Sequence, residues 1–174
     1  MRRGFIVTAA LLALAGCEQA KPPPEPGLTK EEVAAQLAKV KVEPGQWERT
    51  TEIVAAEGAV SEAEKRQIVG RRTTSSDCIT PAQAERPSAN FLSAQQNSEC
   101  TYHEFRMQGG KLTSRTTCTG TDSPDELVTV MNGDYAPDSY DMLSKIQTPG
   151  QAGAVTITTR TRGKRVGECK AQGE

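Results

Sequence analysis

The chain begins with an apolar stretch that is too short to span a membrane. Arg2 and Arg3 precede a run of almost uninterrupted apolar residues over 5–15, whereas a membrane-spanning helix needs about 20 such residues. A short basic start followed by an apolar segment of this length is typical of an export signal. We therefore expect residues 1–16 to direct export and to be removed from the mature protein.

Two further patterns precede the main body of the chain. Residues 17–28 contain four prolines and few apolar side chains, which predicts an extended tether of the polyproline type. From Thr29 onward, apolar residues recur at helical intervals, and Thr29 with Glu32 has the Ser/Thr-x-x-Glu spacing of a capping box. Residues 29–43 are therefore predicted to form a short amphipathic helix that packs on its own domain.

From residue 44 the pattern changes to short alternating runs rich in Thr and Val, separated by Gly, Pro, Asn and Asp. Such runs are typical of antiparallel strands joined by tight turns. Turns are expected at Asn132-Gly133 and Pro149-Gly150, and Thr80 with Pro81 should begin a short helix. The expected strands are a first strand with Trp47, Thr51 and Ile53 on one face, a second over 66–75, a hairpin over 100–118 turning at Gly109-Gly110, and three more over 126–131, 140–147 and 154–165.

Consecutive hairpins without crossover helices imply a meander. We therefore expect residues 44–174 to form one mainly β domain. Its form would be an antiparallel meander sheet or a small open barrel with one or two short helices. Aromatic residues make up only 4% of the chain, with a single Trp, so the core should be modest and disulfides should help to hold it.

Leu14, Ala15, Gly16 and Cys17 match the bacterial lipobox, in which the Cys thiol receives a diacylglycerol and becomes the first mature residue. Cys17 is therefore the predicted lipidation site, and several acyl chains including palmitate would give a stable membrane anchor. The expected location is the periplasmic face of a bacterial envelope membrane. Glu18 stands where some inner-membrane lipoproteins have Asp, which favours the outer membrane over the inner.

Removal of the leader would leave 19 basic and 22 acidic residues, a formal net charge of −3. A nucleic-acid partner requires a concentrated basic patch, and an exported protein does not meet the genome, so nucleic acid is not expected as a partner. The expected partners are the membrane, through the anchor on Cys17, and an envelope protein or a small apolar ligand. No cofactor is expected.

The four cysteines other than Cys17 are even in number, so an oxidising compartment should close them as two disulfides. If Gly109 lies at the centre of its turn and a one-residue bulge accompanies that turn, Cys100 faces Cys118. Facing positions bring Cβ atoms to ~4.5–5.5 Å, which small shifts reduce to disulfide range. This pairing leaves Cys78 to bond Cys169, which ties the last strand to the early part of the sheet.

Five segments along the main body of the chain form a recognisable set. They are "PGQWE" at 44–48, "CITPAQA" at 78–84, the Cys-containing hairpin, "GDYAPDSY" at 133–140 and "RVGEC" at 165–169. Together they resemble the bacterial domain-of-unknown-function family 3617. The resemblance runs from about residue 44 to 169 and implies a small exported β-rich domain, without implying an activity. The stretch "VAAEGAVSEAEKRQ" between the first two strands looks like an insertion.

The sequence offers little catalytic chemistry, and no catalytic or metal-binding residue is assigned. The cysteines lack the spacing of a zinc site, and the acidic stretch 132–141 reads as a turn instead of a calcium loop. Tyr135 and Tyr140 in that stretch are expected to pack across two strands. His103 is the single histidine, and an ordinary strand histidine is the favoured interpretation.

Two classes of function remain open. The favoured one is a non-enzymatic binding or interaction domain tethered to the membrane. The alternative is a hydrolase-like enzyme that uses His103 with a nearby carboxylate, which would place this side chain in a pocket beside an acid. A purely structural role in the envelope fits the same sequence features as the first class.

Overall fold

The computed structural model describes residues 27–85, 99–119, 126–150 and 153–169. The predicted leader over 1–16, the lipidation site Cys17 and almost all of the predicted tether lie outside the described residues. Within the described ranges the chain forms three short helices and seven strands. They are α1 Lys30–Leu37, β1 Gly45–Gly58, α2 Glu62–Ile68, β2 Arg72–Ile79, α3 Pro81–Glu85, β3 Glu99–Gln108, β4 Lys111–Thr119, β5 Glu126–Ala136, β6 Ser139–Thr148 and β7 Val155–Gly167.

The seven strands form one antiparallel sheet in the order β2-β1-β7-β6-β5-β4-β3. Strands β3 to β7 are a simple meander, and β1 then pairs with β7 so that the first two strands extend the sheet on the far side. The sheet has two edges, β2 and β3, and is therefore open. This confirms the predicted mainly β antiparallel meander, and the sheet does not close into a barrel.

One face of the sheet carries the core, and we call it the inner face. On β4 it is marked by the buried residues Leu112, Ser114, Thr116 and Cys118, which alternate with the less buried positions of the outer face. A cluster of buried apolar side chains lies on this face and includes two residues of α1. It consists of Val33, Leu37, Tyr102, Phe105, Leu112 and Met142.

Helix α1 forms where the capping box predicts it. Thr29 caps the helix, since its hydroxyl accepts from the Glu32 backbone N–H at 3.2 Å while the Glu32 carboxylate accepts from the Thr29 N–H at 2.7 Å. Val33 and Leu37 are one helical turn apart and are only 1% and 2% exposed. The helix therefore packs on its own domain, and the short helix predicted at Pro81 is also present as α3.

The central hairpin turns at Gly109 and Gly110, as predicted. Both have positive φ, 60° and 75°, which suits the two-residue loop between Gln108 and Lys111. The predicted bulge exists, but it lies within β3 instead of at the turn. His103 has no register partner there, and this extra residue restores the pairing that places Cys100 opposite Cys118.

Both predicted cysteine pairs are disulfide-bonded in the structure. Cys100–Cys118 staples the hairpin, and Cys78–Cys169 joins the end of β2 to the end of the described chain. The second bond spans 91 residues of sequence. It therefore fixes the outermost strand on one side of the sheet to the segment that follows β7.

The second predicted strand is displaced in the structure. Residues 66–75 were expected to be extended, yet α2 occupies their first part and β2 begins only at Arg72. Ser61 and Glu64 form a second capping box, which starts α2 directly after β1 ends. The stretch that resembles an insertion is thus the end of β1 followed by a capped helix.

The turn predicted at Asn132-Gly133 is also wrong, because β5 continues through both residues to Ala136. A Cβ atom on Gly133 would lie 2.2 Å from the Asp141 carbonyl oxygen and 2.6 Å from the Met142 Sδ. Glycine is used here for close packing against β6, not for a turn. The actual turn follows Ala136, which pairs with Ser139.

Candidate binding surface

Four of the segments that carry the family resemblance meet at one end of the sheet, which we call the motif end. It comprises residues 43–49, 75–78, 137–140 and 163–169. The Arg165 side chain donates through Nε to the Pro44 carbonyl at 2.7 Å, and its backbone N–H donates to the Asp138 carbonyl at 2.8 Å. The Cys78–Cys169 bond closes the same region. Segments far apart in sequence thus form one rigid unit.

Trp47 and Tyr140 form the floor of the motif end. Trp47 is 5% exposed, and its indole Nε1–H donates to the Glu43 carbonyl at 3.0 Å. Its ring stacks on Tyr140 with centroids 6.0 Å apart and an interplanar angle of 19°. The Tyr140 ring lies directly over Gly163, where a Cβ atom would be 2.2 Å from Tyr140 Cε1.

Arg49 projects from this floor. Its guanidinium donates to the Asp77 carboxylate at 3.0 Å and to the Ser75 hydroxyl at 3.3 Å. The side chains of Arg49 and Asp77 remain 45% and 58% exposed. Burial raises the pKa of the Tyr140 phenol, and the neighbouring Arg49 offsets part of that rise.

A second set of charges lies beside the first. Arg165 forms an ion pair with Glu168, and its Nε is 3.9 Å from a Glu43 carboxylate oxygen. Val166, between them in sequence, is 56% exposed. The motif end therefore presents paired charges and one exposed aliphatic side chain close in sequence to them, beside the stacked rings of the buried Trp47 and the half-buried Tyr140. Such a surface suits hydrogen bonding and packing against a protein partner better than capture of a free anion.

The outer face carries a separate charged cluster. Asp141 accepts from Arg160 through both carboxylate oxygens, at 2.8 and 2.6 Å, and from Arg162 at 3.2 Å. These hydrogen bonds, led by that from Arg160, hold the pKa of the Asp141 carboxyl below its ordinary value. Asp141 on β6 faces Arg162 on β7, and Arg160 lies two residues away on the same strand, opposite Leu143. The cluster thus ties two central strands together and is satisfied internally.

His103 is an exposed residue of the edge strand β3. Its Nε2 is 2.9 Å from the Thr117 hydroxyl oxygen, so the imidazole meets a hydroxyl there instead of the carboxylate that the hydrolase alternative requires. Thr117 also lines an open depression of about 320 Å³ together with Lys30, Thr101 and Glu126. This lining is mainly polar and does not suit a small apolar ligand.

Sequence reasoning identified only part of this surface. The pairing of Tyr135 with Tyr140 across β5 and β6 is confirmed by the register. Arg49, Asp77 and Arg165 were not singled out, because each is an ordinary charged residue in its own segment. The available signal was the set of short motifs, which gave no indication that they meet in space.

Two further observations concern metal binding and membrane crossing in the described part of the chain. Within it, no group of three or more His, Cys, Asp or Glu side chains is arranged to hold a metal ion. Among the helices of the described ranges, none has the length and apolar character needed to cross a membrane.

Comparison with known proteins gives a family and no relative of known role. The family model described as protein of unknown function (DUF3617) matches residues 42–169. No curated protein and no solved structure matches the chain. The matched range contains all seven strands, both disulfides and every segment of the motif end. The chain therefore belongs to the DUF3617 family of proteins of unknown function.

Proposed function

We propose that this protein is a lipid-anchored envelope protein whose β domain is a non-enzymatic interaction module. In this proposal the acylated Cys17 holds the protein at the periplasmic face of a membrane, and the motif end contacts an envelope protein. The observation that carries the proposal is the convergence of the resemblance-bearing segments on one rigid, exposed and charge-paired surface.

The attachment point of the tether supports this arrangement. The Leu28 backbone N–H donates to the Tyr102 carbonyl at 2.6 Å, which fixes the start of the described chain on the edge strand β3. Strand β1 of the motif end lies five pairing steps away, or about 24 Å along the sheet at ~4.8 Å per step. A tether of the predicted type reaches roughly 30 Å. The first described residues thus lie at the sheet edge that is remote from β1.

The rigidity of the motif end supports binding through a preformed surface. A surface held by a disulfide, a buried Trp and cross-strand hydrogen bonds loses little conformational entropy when a partner docks. Arg49 is paired with Asp77, and Arg165 with Glu168, in the free protein. A partner that contacts these side chains must therefore offer complementary hydrogen bonds and not simply one sign of charge.

The attachment half of the proposal is tested by Cys17→Ser. We expect the variant to take up no labelled fatty acid and to appear in the soluble fraction or as uncleaved precursor, because the hydroxyl cannot accept the diacylglycerol thioether. The double variant Cys100→Ser/Cys118→Ser is the matched control, since it also removes thiols but should remain labelled and membrane-bound. Labelling and membrane binding of Cys17→Ser would contradict the assignment.

Separation of inner and outer membranes in the same experiment assigns the compartment. We expect the labelled wild-type protein to follow the outer membrane, because Glu18 replaces the Asp that favours retention in the inner membrane. Recovery in the inner membrane would change the location without affecting the assignment of the anchor.

A further inference from the structure

The two edges of the sheet are protected to different degrees. Edge β3 has the bulge at His103, the bridge to Leu28 and contact with α1. Bulges and covering segments are the usual means by which proteins block unwanted strand pairing. Edge β2, "RTTSSDCI", has no Lys or Pro and pairs with β1 over all eight residues without a register shift. Six of its eight residues are exposed.

The register identifies which backbone groups of β2 lie on its open edge, the side away from β1. The Ile53 N–H donates to the Arg71 carbonyl, and the Gly70 N–H donates to the Ile53 carbonyl, so Ile53 points its backbone groups toward β2. Because hydrogen-bonded pairs alternate along an antiparallel ladder, Thr73, Ser75 and Asp77 bond β1. The N–H and C=O groups of Arg72, Thr74 and Ser76 therefore point away from β1, along the open edge of the sheet. No segment of the described ranges pairs with them.

We propose that β2 pairs antiparallel with β2 of a second copy, with the two-fold axis passing through Thr74. This register keeps the inner faces of both copies on the same side, as a continuous sheet requires, and pairs Arg72 with Ser76 of the partner subunit. It also brings the exposed Arg71 opposite the partner's Asp77, twice per dimer, so that each Asp77 carboxylate would face this second arginine in addition to Arg49 of its own subunit. The strand is thus complementary in charge to itself when reversed, which selects a second copy over an unrelated strand.

The test uses the full mature chain and does not depend on its anchor. Sedimentation velocity over about a hundredfold range of concentration should show a monomer–dimer equilibrium. Thr74→Lys should weaken the dimer by about tenfold or more, because two like charges would face each other on the axis. Thr74→Ala, which keeps the strand uncharged, should dimerise like the wild type.

A cysteine probe tests the register itself. Thr74→Cys should form a covalent dimer under oxidising conditions, since residues on the axis of this register have Cα atoms ~5.5 Å apart. Arg106→Cys, an exposed outer-face position on the other edge strand, should not. Peptide mapping should find the two native disulfides intact in both variants.

Three outcomes overturn the proposal. They are a monomer throughout the concentration series, equal crosslinking of the Thr74→Cys and Arg106→Cys variants, and crosslinking of Thr74→Cys to a different protein in the envelope. The last would identify a partner strand as the occupant of this edge. Failure of Cys17→Ser to release the protein would leave this result unaffected, so the two proposals are tested separately.

Discussion

Gly163 shows how a single missing side chain shapes the motif end. The Tyr140 ring occupies the space where a Cβ atom would stand, so that Tyr140 can stack on the buried Trp47. The sequence around this glycine, "TRTRGKRVG", reads as an ordinary strand. The role of Gly163 could not be predicted, because it depends on an aromatic residue 23 positions earlier that only the β6–β7 register brings alongside.

Gly163→Ala should therefore reduce the free energy of unfolding by about 2–3 kcal/mol, the usual cost of overpacking a closely packed site. The cause would be a steric clash with the ring. In the double variant Gly163→Ala/Tyr140→Ala the ring that clashes is gone. Its loss in free energy of unfolding should therefore be about 1–2 kcal/mol smaller than the sum of the losses in the two single variants. Urea unfolding of the four members of this cycle measures the coupling. Full additivity would show that the ring does not lie over Gly163.

Asp141 provides a prediction about pH. Its folded-state pKa is lowered by Arg160 and Arg162, so its contribution to stability is present above its unfolded pKa and is lost as the pH falls through the folded value. Asp141→Asn should cost about 0.5–1 kcal/mol at neutral pH, a modest figure because the side chains are 35–52% exposed. The difference between wild type and variant should shrink below about pH 4.

The matched control for this prediction is Asp134→Asn. Asp134 pairs with Lys111 on the same face of the sheet, but both side chains are more exposed, at 67% and 72%, so its loss should cost less at neutral pH. Denaturant titrations at several pH values measure both variants. A cost for Asp141→Asn that stays constant from neutral to strongly acidic pH would contradict the assigned ion pairs.

At the scale of elements, short sequence motifs correctly predicted the helices and turns that depend only on neighbouring residues. The capping box gave α1, and the Gly-Gly pair gave the β3–β4 hairpin and through it the Cys100–Cys118 pair. The prediction failed over 66–75 and 132–133, where tertiary contacts decide the outcome. Strand β2 begins late because its pairing with β1 fixes its start, and β5 passes through Gly133 because Met142 needs the space above it.

The bulge at His103 gives a prediction for β3. Deletion of His103 should leave Cys100 opposite Cys118, because Tyr102 and Glu104 already face the adjacent residues Thr116 and Arg115. We expect the hairpin disulfide to form and the stability to change by about 1 kcal/mol or less. Non-reducing peptide mapping identifies the linked peptides.

Deletion of Arg106 is the matched comparison for the bulge, because Arg106 lies in the regular part of the same strand, opposite Thr113. Its removal should shift the preceding residues by one and turn their side chains to the opposite face. Loss of the Cys100–Cys118 peptide after deletion of His103, or its retention after both deletions, would show that His103 is not the residue that sets the register.

At the scale of the whole molecule, the sequence predicted the fold class and both disulfides but not the surface they support. Each short motif reads locally as a strand end or a turn, and none carries a catalytic pattern. The motif end exists only because β1 pairs with β7, a contact between segments more than a hundred residues apart. Neither periodicity nor turn chemistry indicates that long-range pairing.

The central claim is that the motif end binds a partner in the envelope, and site-specific photocrosslinking tests it most directly. A photoreactive residue would replace Val166 at the motif end or Leu143 on the outer face, two exposed aliphatic positions at 56% and 42%. The account predicts one discrete crosslinked protein from position 166 and none from 143. It also predicts that Arg49→Ala abolishes the product while Arg106→Ala does not. No product from position 166, or the same product from both positions, would contradict the account.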